Sequence, residues 1–263
     1  MMKKWNAVIL AGDRGLTDPV AKAANVPGKA LAKLGDVTLI ERIVRTLNEA
    51  ECINQIFSVG PSQKNLVNEK NISSMFLDYG VKYLEPDIGP SSSALLGVNT
   101  SAFYPTLIVT SDLPLLTVNI VEDYCSRIED QNVDFVVTAV NYSSINNLLP
   151  ELKKTQYRFG NQNVCFANIF AVMNATGLKA ISYWRDIEKS RKKPLQVIRK
   201  IDWWSVLLYK FGCLDIDQAS AKLSKKLGAS LIIDQCSIPE LAVDVDSSHD
   251  FQVLSRFVSE RQN

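Results

Sequence analysis

Short apolar runs with the character of buried strands alternate along this chain with segments of helical periodicity. Thr106–Thr110 is a β-branched apolar run, whereas Leu39–Ala50 repeats its apolar residues at helical spacing. Such alternation is typical of parallel βαβ units. A length of 263 residues with 46% hydrophobic content is enough to build a sizeable core around such units. The pattern therefore predicts one α/β domain over residues 1–263.

The same periodicity places the individual elements. The predicted strands are Val8–Ala11, Gln55–Val59, Val81–Leu84, Thr106–Thr110, Asp134–Val140, Phe166–Met173, Leu231–Ile233 and Leu241–Val245. The predicted helices are Leu39–Ala50, Ser91–Asn99, Ile120–Ile128, Thr176–Lys193, Ala219–Leu227 and Ser247–Val258. Asn141–Thr155 is polar and is expected to be irregular, and Phe166–Met173 is expected at the open edge of the sheet.

Composition excludes several classes of function. A formal net charge of +1 provides no basic field for nucleic acid. No apolar run approaches the roughly 20 residues that a transmembrane helix needs. The five cysteines are scattered, without metal-knuckle or redox-pair spacing, so we expect reduced thiols and a cytoplasmic location. The only histidine, His249, limits any histidine-based triad to one candidate.

The first predicted strand ends at a loop that suits phosphate. The apolar run breaks at Gly12–Gly15, a loop that contains Arg14, and Lys29 follows after a short polar stretch. In an open α/β sheet, ligands bind beyond the carboxyl ends of the strands. Backbone N–H groups, an arginine and a lysine at that place are suited to a polyphosphate.

Carboxylates follow two later segments of the chain. Asp112 lies just past a predicted central strand, so its side chain is expected in the same ligand crevice. Asp244 and Asp246 lie two residues apart in a predicted strand and therefore on one face. Ser247 and Asp250 have the spacing of a capping pair for the last helix. Mg²⁺ is commonly held by one or two carboxylates together with substrate phosphates, and Asp112 with Asp246 meets that need.

These motifs resemble the signature of the MobA-like nucleotidyltransferases. In that family a strand ending Leu-Ala-Gly-Gly leads into a glycine-rich loop with an arginine, and a lysine follows just before an apolar stretch. Leu10–Gly12 and Arg14 match the first part of this pattern, and Lys29 matches the second. Two positions depart from it, because Asp13 replaces the second glycine and Gly28 directly precedes Lys29.

The resemblance implies a fold and a reaction. The fold is a single-domain, three-layer α/β/α structure with a mostly parallel mixed sheet, as in nucleotide-diphospho-sugar transferases. The reaction moves NMP from an NTP to a phosphorylated small-molecule acceptor, a sugar phosphate or a cofactor precursor, and releases pyrophosphate. Residues 141–240 would then be the acceptor-facing portion of the domain. Val245–Phe251 is also similar to a late family pattern whose Asp has a metal role.

The resemblance also implies roles for individual residues. Lys29, Arg14 and Asp112 are the predicted catalytic residues. Asp112 and Asp246 are the predicted Mg²⁺ ligands, with Asp244 as the alternative to Asp246. The predicted nucleotide contacts are Leu10, Ala11, Gly12, Asp13, Gly15, Ser91 and Ser93.

Three features in the second half of the chain each allow more than one interpretation. Asn168 lies inside an apolar strand, where its amide bonds to neighbouring backbone or faces the acceptor substrate. The basic cluster Arg191–Lys193 fits a solvated helix end or a site for an anionic acceptor. The aromatic stretch Trp203–Phe211 fits the core or a subunit interface better than a membrane-surface face, and a subunit interface would make the protein a homodimer.

Two other functions are compatible with an α/β chain of this kind. A glycosyltransferase of related fold binds a nucleotide sugar and a metal through Asp-x-Asp, and Asp244-Val245-Asp246 has that spelling, although near the C-terminus. A non-catalytic nucleotide-binding protein would bind the nucleotide without turnover. A dehydrogenase is disfavoured because the first loop lacks Gly-x-Gly-x-x-Gly.

Overall fold

Ten strands are present in the computed structural model, which describes residues 3–13, 15–187, 193–201 and 203–262. Their bounds are β1 Trp5–Leu10, β2 Lys33–Leu34, β3 Val37–Thr38, β4 Ile53–Val59, β5 Lys82–Leu84, β6 Thr106–Thr110, β7 Phe135–Asn141, β8 Tyr157–Phe159, β9 Gln162–Val172 and β10 Leu231–Cys236. The α-helices of the same residues are α1 Pro19–Ala23, α2 Leu39–Glu49, α3 Gln63–Leu66, α4 Lys70–Asp78, α5 Pro90–Ser101, α6 Val118–Glu129, α7 Tyr142–Leu148, α8 Leu178–Ile187, α9 Pro194–Ile201, α10 Trp203–Lys210, α11 Ile216–Leu227 and α12 Ser248–Gln262. None of these helices has the length and apolarity to cross a bilayer.

Most strands join one mixed sheet in the order β10-β7-β9-β6-β1-β4-β5. β8 pairs with the first three residues of β9, Gln162–Val164. The pairs β1–β4, β1–β6, β4–β5 and β7–β10 are parallel. β9 runs antiparallel between β6 and β7. The prediction of an edge position for Phe166–Met173 is therefore wrong. The strand is central, with Ile169 and Ala171 fully buried, and the local pattern of a strand does not reveal which neighbours it pairs with.

Helices cover both faces of this sheet, which confirms the three-layer α/β/α prediction. Ala7 and Ile9 of β1 point into one core with α2, α4, α6 and α12. Val8 and Leu10 point into the other core with α5, α8, α9 and α11. Side chains alternate across a strand, so a central strand buried on both faces is apolar at every position.

Two predicted segments differ from the structure. Asn141–Thr155 contains the helix α7, which begins where the Asn141 side chain accepts a hydrogen bond from Ser143 N at 2.9 Å. Leu241–Val245 is not a strand: Leu241 and Ala242 end a 3-10 turn, Pro239–Ala242, and residues 243–245 have irregular backbone. Its apolar side chains are fully buried against the core without a partner strand, so burial and not sheet pairing accounts for its apolar pattern.

Candidate active site

Three carboxylates from distant parts of the chain meet beyond the end of β6. Asp112, Asp244 and Asp246 each offer an oxygen, and these oxygens lie within 4.8 Å of one another. Asp112 is held by the Thr110 hydroxyl, and its carbonyl oxygen accepts a hydrogen bond from Val245 N at 3.1 Å. This backbone hydrogen bond joins the segment that carries Asp244 and Asp246 to the residues that follow β6, which include Asp112.

The start of α12 fixes the position of Asp246. Ser247 and Asp250 form the predicted capping pair, since Ser247 Oγ accepts from Asp250 N at 3.0 Å and Asp250 Oδ2 accepts from Ser247 N at 3.1 Å. The same Oδ2 atom accepts from Asp246 N at 3.1 Å. Asp250 is therefore structural, as the sequence predicts, and it orients the backbone from which the Asp246 carboxylate projects.

Lys29 joins two of the three acids. It begins a 3-10 turn, Lys29–Leu31, whose Ala30 and Leu31 are buried and anchor the backbone. Its Nζ atom contacts Asp112 Oδ2 and lies 3.3 Å from Asp246 Oδ1. Burial alone would lower the pKa of Lys29, but the Asp112 and Asp246 carboxylates outweigh it and raise this pKa above its ordinary value. Lys29 thus carries a fixed positive charge at neutral pH.

Asp244 is held by two residues of the second half. Lys154 Nζ contacts Asp244 Oδ1 and donates to the Asp244 carbonyl oxygen at 2.6 Å. Asn168 Nδ2 donates to Asp244 Oδ2 at 2.8 Å. Burial raises the pKa of Asp244, and the Lys154 ammonium opposes that effect. Sequence reasoning missed Lys154, because a lysine in a polar stretch carries no signal that it is buried against an acid.

The composition of this cluster suits a hard divalent cation. Its donors are carboxylate oxygens, the ligand type preferred by Mg²⁺ and Ca²⁺. The three carboxylates face two ammonium groups, those of Lys29 and Lys154. With all five groups charged, one negative charge remains, which favours a cation over an anion at the acids themselves.

The loop after β1 lies against the β4–α3 connection. Ala11 N donates to Val59 O at 2.9 Å. Asp13 Oδ2 accepts hydrogen bonds from Ser62 N at 2.9 Å, from Ser62 Oγ at 3.1 Å and from Asn65 Nδ2 at 2.8 Å. The Asp13 side chain therefore ties two loops together, and its predicted contact with a nucleotide stays a prediction.

The two departures from the family pattern are sterically linked. A Cβ atom on Gly28 would lie 2.0 Å from Asp13 Oδ1 and 2.7 Å from Asp13 Cγ. Gly28 has an extended backbone, φ −152°, which any residue can adopt, so only the space is restricted. The missing side chain at Gly28 is what leaves room for the Asp13 carboxylate.

We expect Gly28→Ala to lower the free energy of unfolding by about 1–3 kcal/mol, the usual cost of overpacking. The same substitution in an Asp13→Gly background is expected to cost almost nothing, because the clashing carboxylate is gone. Urea unfolding of the two single variants and the double variant measures this coupling. An equal cost of Gly28→Ala in both backgrounds would contradict the linkage.

Other predicted site residues have the following places. Leu10 ends β1, and Gly12 and Gly15 lie in the loop after it, Gly15 with φ +61°. Ser91 and Ser93 are buried at the start of α5, where Ser93 Oγ accepts from Asp87 N at 3.1 Å and holds the preceding loop. Arg14, Arg191 and Lys192 lie outside the described residues, as do the side chains of Trp203 and Trp204.

The structure thus brings Lys29, Asp112 and Asp246 together, with Asn168 joined to them through Asp244. The alternation argument for Asp244 and Asp246 rested on a strand that does not form, yet both acids reach the same cluster. The two aspartates are close because irregular backbone turns both side chains toward Asp112.

Comparison with known proteins identifies the family of this chain. Residues 7–197 match the sequence profile of the MobA-like NTP transferase domain. No curated protein matches the chain. Among solved structures, a hypothetical transferase from Thermus thermophilus is similar at 22% identity and a TM-score of 0.74, over 94% of this chain and 99% of its own.

Two further solved structures share the fold. CTP:phosphocholine cytidylyltransferase from Streptococcus pneumoniae has 13% identity and a TM-score of 0.56, over 98% of this chain and 100% of its own. 4-Diphosphocytidyl-2C-methyl-D-erythritol synthase from Anaerococcus prevotii has 11% identity and a TM-score of 0.56, over 98% and 99%. The profile match covers more than half of the chain and includes Lys29 and Asp112, and the chain belongs to the MobA-like NTP transferase family of nucleotidyltransferases.

Proposed function

We propose that this protein transfers NMP from an NTP to a phosphorylated small-molecule acceptor, with Mg²⁺ and with release of pyrophosphate. The observation that carries the proposal is the convergence of Lys29 with Asp112 and Asp246 beside the loop that follows β1. Positive charge for a nucleotide tail and oxygen ligands for a cation then lie at one place.

The proposed chemistry needs no strong general base. An acceptor phosphate is already ionised at neutral pH, so catalysis rests on in-line positioning and on stabilising charge. The backbone of the loop Gly12–Gly15 binds the triphosphate, and Lys29 neutralises the region of the α-phosphate. Arg14 is proposed to contact the β- and γ-phosphates.

The acids are proposed to hold the cation. Asp112 and Asp246 would be its protein ligands, and Mg²⁺ when bound would offset the negative charge of the substrate phosphates. Asp244 is the alternative ligand, but Lys154 by itself offsets the charge of Asp244. Asp112 and Asp246 share the single charge of Lys29, so this pair keeps one negative charge, which favours Asp246.

A panel of the four NTPs tests the proposal directly. One NTP at about 100 times its dissociation constant is expected to stabilise the fold by about 2.7 kcal/mol in the presence of Mg²⁺. CTP is the first choice, because two proteins of the same fold are named as acting in cytidylyl chemistry. Thermal unfolding with Mg²⁺ alone is the control, and a panel in which no NTP raises the melting temperature would contradict the proposal.

Pyrophosphate release separates this function from the two alternatives. A glycosyltransferase would use a nucleotide sugar and release no pyrophosphate from an NTP, and a non-catalytic binder would be stabilised without turnover. A cytoplasmic location is proposed from the cysteines, all five of which are unpaired. A homodimeric state stays a prediction.

A further inference from the structure

A cavity of about 250 Å³ lies beside the carboxylate cluster, between the sheet and the helices α8, α9 and α11. Asp244, Asp246, Lys154 and Asn168 line it at the cluster. It is formed by residues of the portion 141–240, which carries no recognised sequence motif, together with Phe135, Val137, Ala242 and the two acids.

The floor of the cavity is apolar across three adjacent strands. Val137 of β7 is paired with Ile233 of β10 on one side and with Phe170 of β9 on the other. All three side chains line the cavity. Val137 and Phe170 stay half-exposed although their strands are central, whereas Ile169 on the opposite face of β9 is fully buried. Among the side chains that the structure describes, none covers this part of the sheet fully.

The roof is apolar and aromatic. Trp184 of α8 lies over Phe170, with ring centroids 5.0 Å apart, and Tyr183 of α8 and Leu223 and Leu227 of α11 also line the cavity. Hydroxyl groups of a sugar placed against the apolar side chains would lose their hydrogen bonds to water without gaining partners, at a cost for each hydroxyl. An alkyl, prenyl or aromatic group would instead gain from leaving water.

We infer that the acceptor is a phosphomonoester of an apolar alcohol, with its apolar group in the cavity and its phosphate beside the cation proposed at the carboxylate cluster. This inference rests on the proposed function and names its substrate class. An oxygen of the acceptor phosphate forms a bond to the α-phosphorus of the NTP. The bond from the α-phosphorus to the bridging oxygen breaks, and its electron pair leaves with pyrophosphate. The product is a nucleoside diphosphate ester of the apolar alcohol.

Binding of n-alkyl phosphates tests the inference without turnover. Isothermal titration is carried out with Mg²⁺ and butyl, hexyl, octyl and decyl phosphate, with and without a methylene analogue of the preferred NTP. Affinity is expected to rise about fourfold per added methylene, which corresponds to about 0.8 kcal/mol, until the cavity is full. Glucose 1-phosphate, a polar phosphomonoester, is expected to show no such gain.

Substitutions on the floor of the cavity distinguish binding of an alkyl phosphate in the cavity from adsorption elsewhere on the protein. Val137→Phe fills the cavity and is expected to weaken octyl phosphate binding at least tenfold while butyl phosphate binding stays unchanged. Val137→Ala enlarges the cavity and is expected to shift the best chain to a longer one. Ile232→Phe is the matched control, because Ile232 neighbours Ile233 in β10 but packs against the opposite core. Nucleotide-induced stabilisation of each variant reports whether it is folded.

The outcomes distinguish this inference from the proposed function. Equal affinity for all chain lengths, or binding of octyl phosphate that Val137→Phe leaves intact, would overturn the apolar acceptor. Pyrophosphate release with glucose 1-phosphate but not with alkyl phosphates would overturn it too, and would leave nucleotidyl transfer standing. If no NTP binds, the proposed function fails, while a chain-length dependence measured without nucleotide still supports an apolar ligand in the cavity.

Discussion

Asp112→Asn is expected to lower kcat for pyrophosphate release by about 10²–10³-fold, or about 2.7–4 kcal/mol of transition-state stabilisation. The amide has nearly the same shape but no negative charge for a cation or for Lys29. Its oxygen can still accept the hydrogen bond from the Thr110 hydroxyl, so the fold is expected to persist. Steady-state pyrophosphate release measures the effect, and thermal unfolding verifies the fold.

The matched control for this variant is Asp123→Asn, an exposed position on α6 where the same change is expected to leave the rate unaltered. Asp246→Asn is expected to resemble Asp112→Asn. Asp244→Asn is expected to lower the rate less, because Lys154 by itself offsets the Asp244 charge, whereas Asp112 and Asp246 share Lys29. A rate near that of the wild type for Asp112→Asn at saturating Mg²⁺ would contradict a catalytic role of the carboxylate cluster.

Lys29→Met is expected to lower kcat by a similar factor of about 10²–10³, because the apolar chain is kept and the charge proposed to neutralise the α-phosphate region is lost. It also leaves Asp112 and Asp246 without their shared cation, which is expected to cost about 1–3 kcal/mol of stability. A divalent cation can replace that charge. Mg²⁺ should therefore stabilise the variant more than the wild type, as measured by the melting temperature over a Mg²⁺ titration.

Lys33→Met is the matched control, since Lys33 lies four residues later and is exposed. It is expected to change neither the rate nor the response to Mg²⁺. A Lys29→Met variant with unchanged kcat and an unchanged Mg²⁺ response would show that Lys29 serves neither the nucleotide nor the acids.

The structure explains two departures from the family motif, Asp13 and Gly28, that the sequence alone leaves unexplained. In the sequence the acid is an unexplained residue in a phosphate-binding loop. In the structure it accepts hydrogen bonds from Ser62 and Asn65 and fills the space above Gly28. Asp13 and Gly28 therefore belong to one packing arrangement, which joins the loop after β1 to the residues that follow β4.

The first half of the fold could be predicted because its signals are local. Strands such as β6 and helices such as α2 lie close to their predicted bounds, since apolar periodicity reports which side chains must be buried. The central position of β9 could not be predicted, because an apolar strand has the same local pattern wherever it pairs. The helix α7 was missed for the opposite reason, since its residues are mostly polar.

The sequence by itself determined the chemical groups of the candidate site: a lysine after the first loop, an acid past a central strand, and acids before a capped final helix. Only the tertiary structure decided how they meet, that Lys154 supports Asp244, and that an apolar cavity opens beside them. The physical reason is that residue type and short-range periodicity are local properties, which a stretch of contiguous residues shows directly. Pairing a lysine with an acid 90 positions away, or leaving a sheet face uncovered, depends on long-range packing that no local pattern encodes.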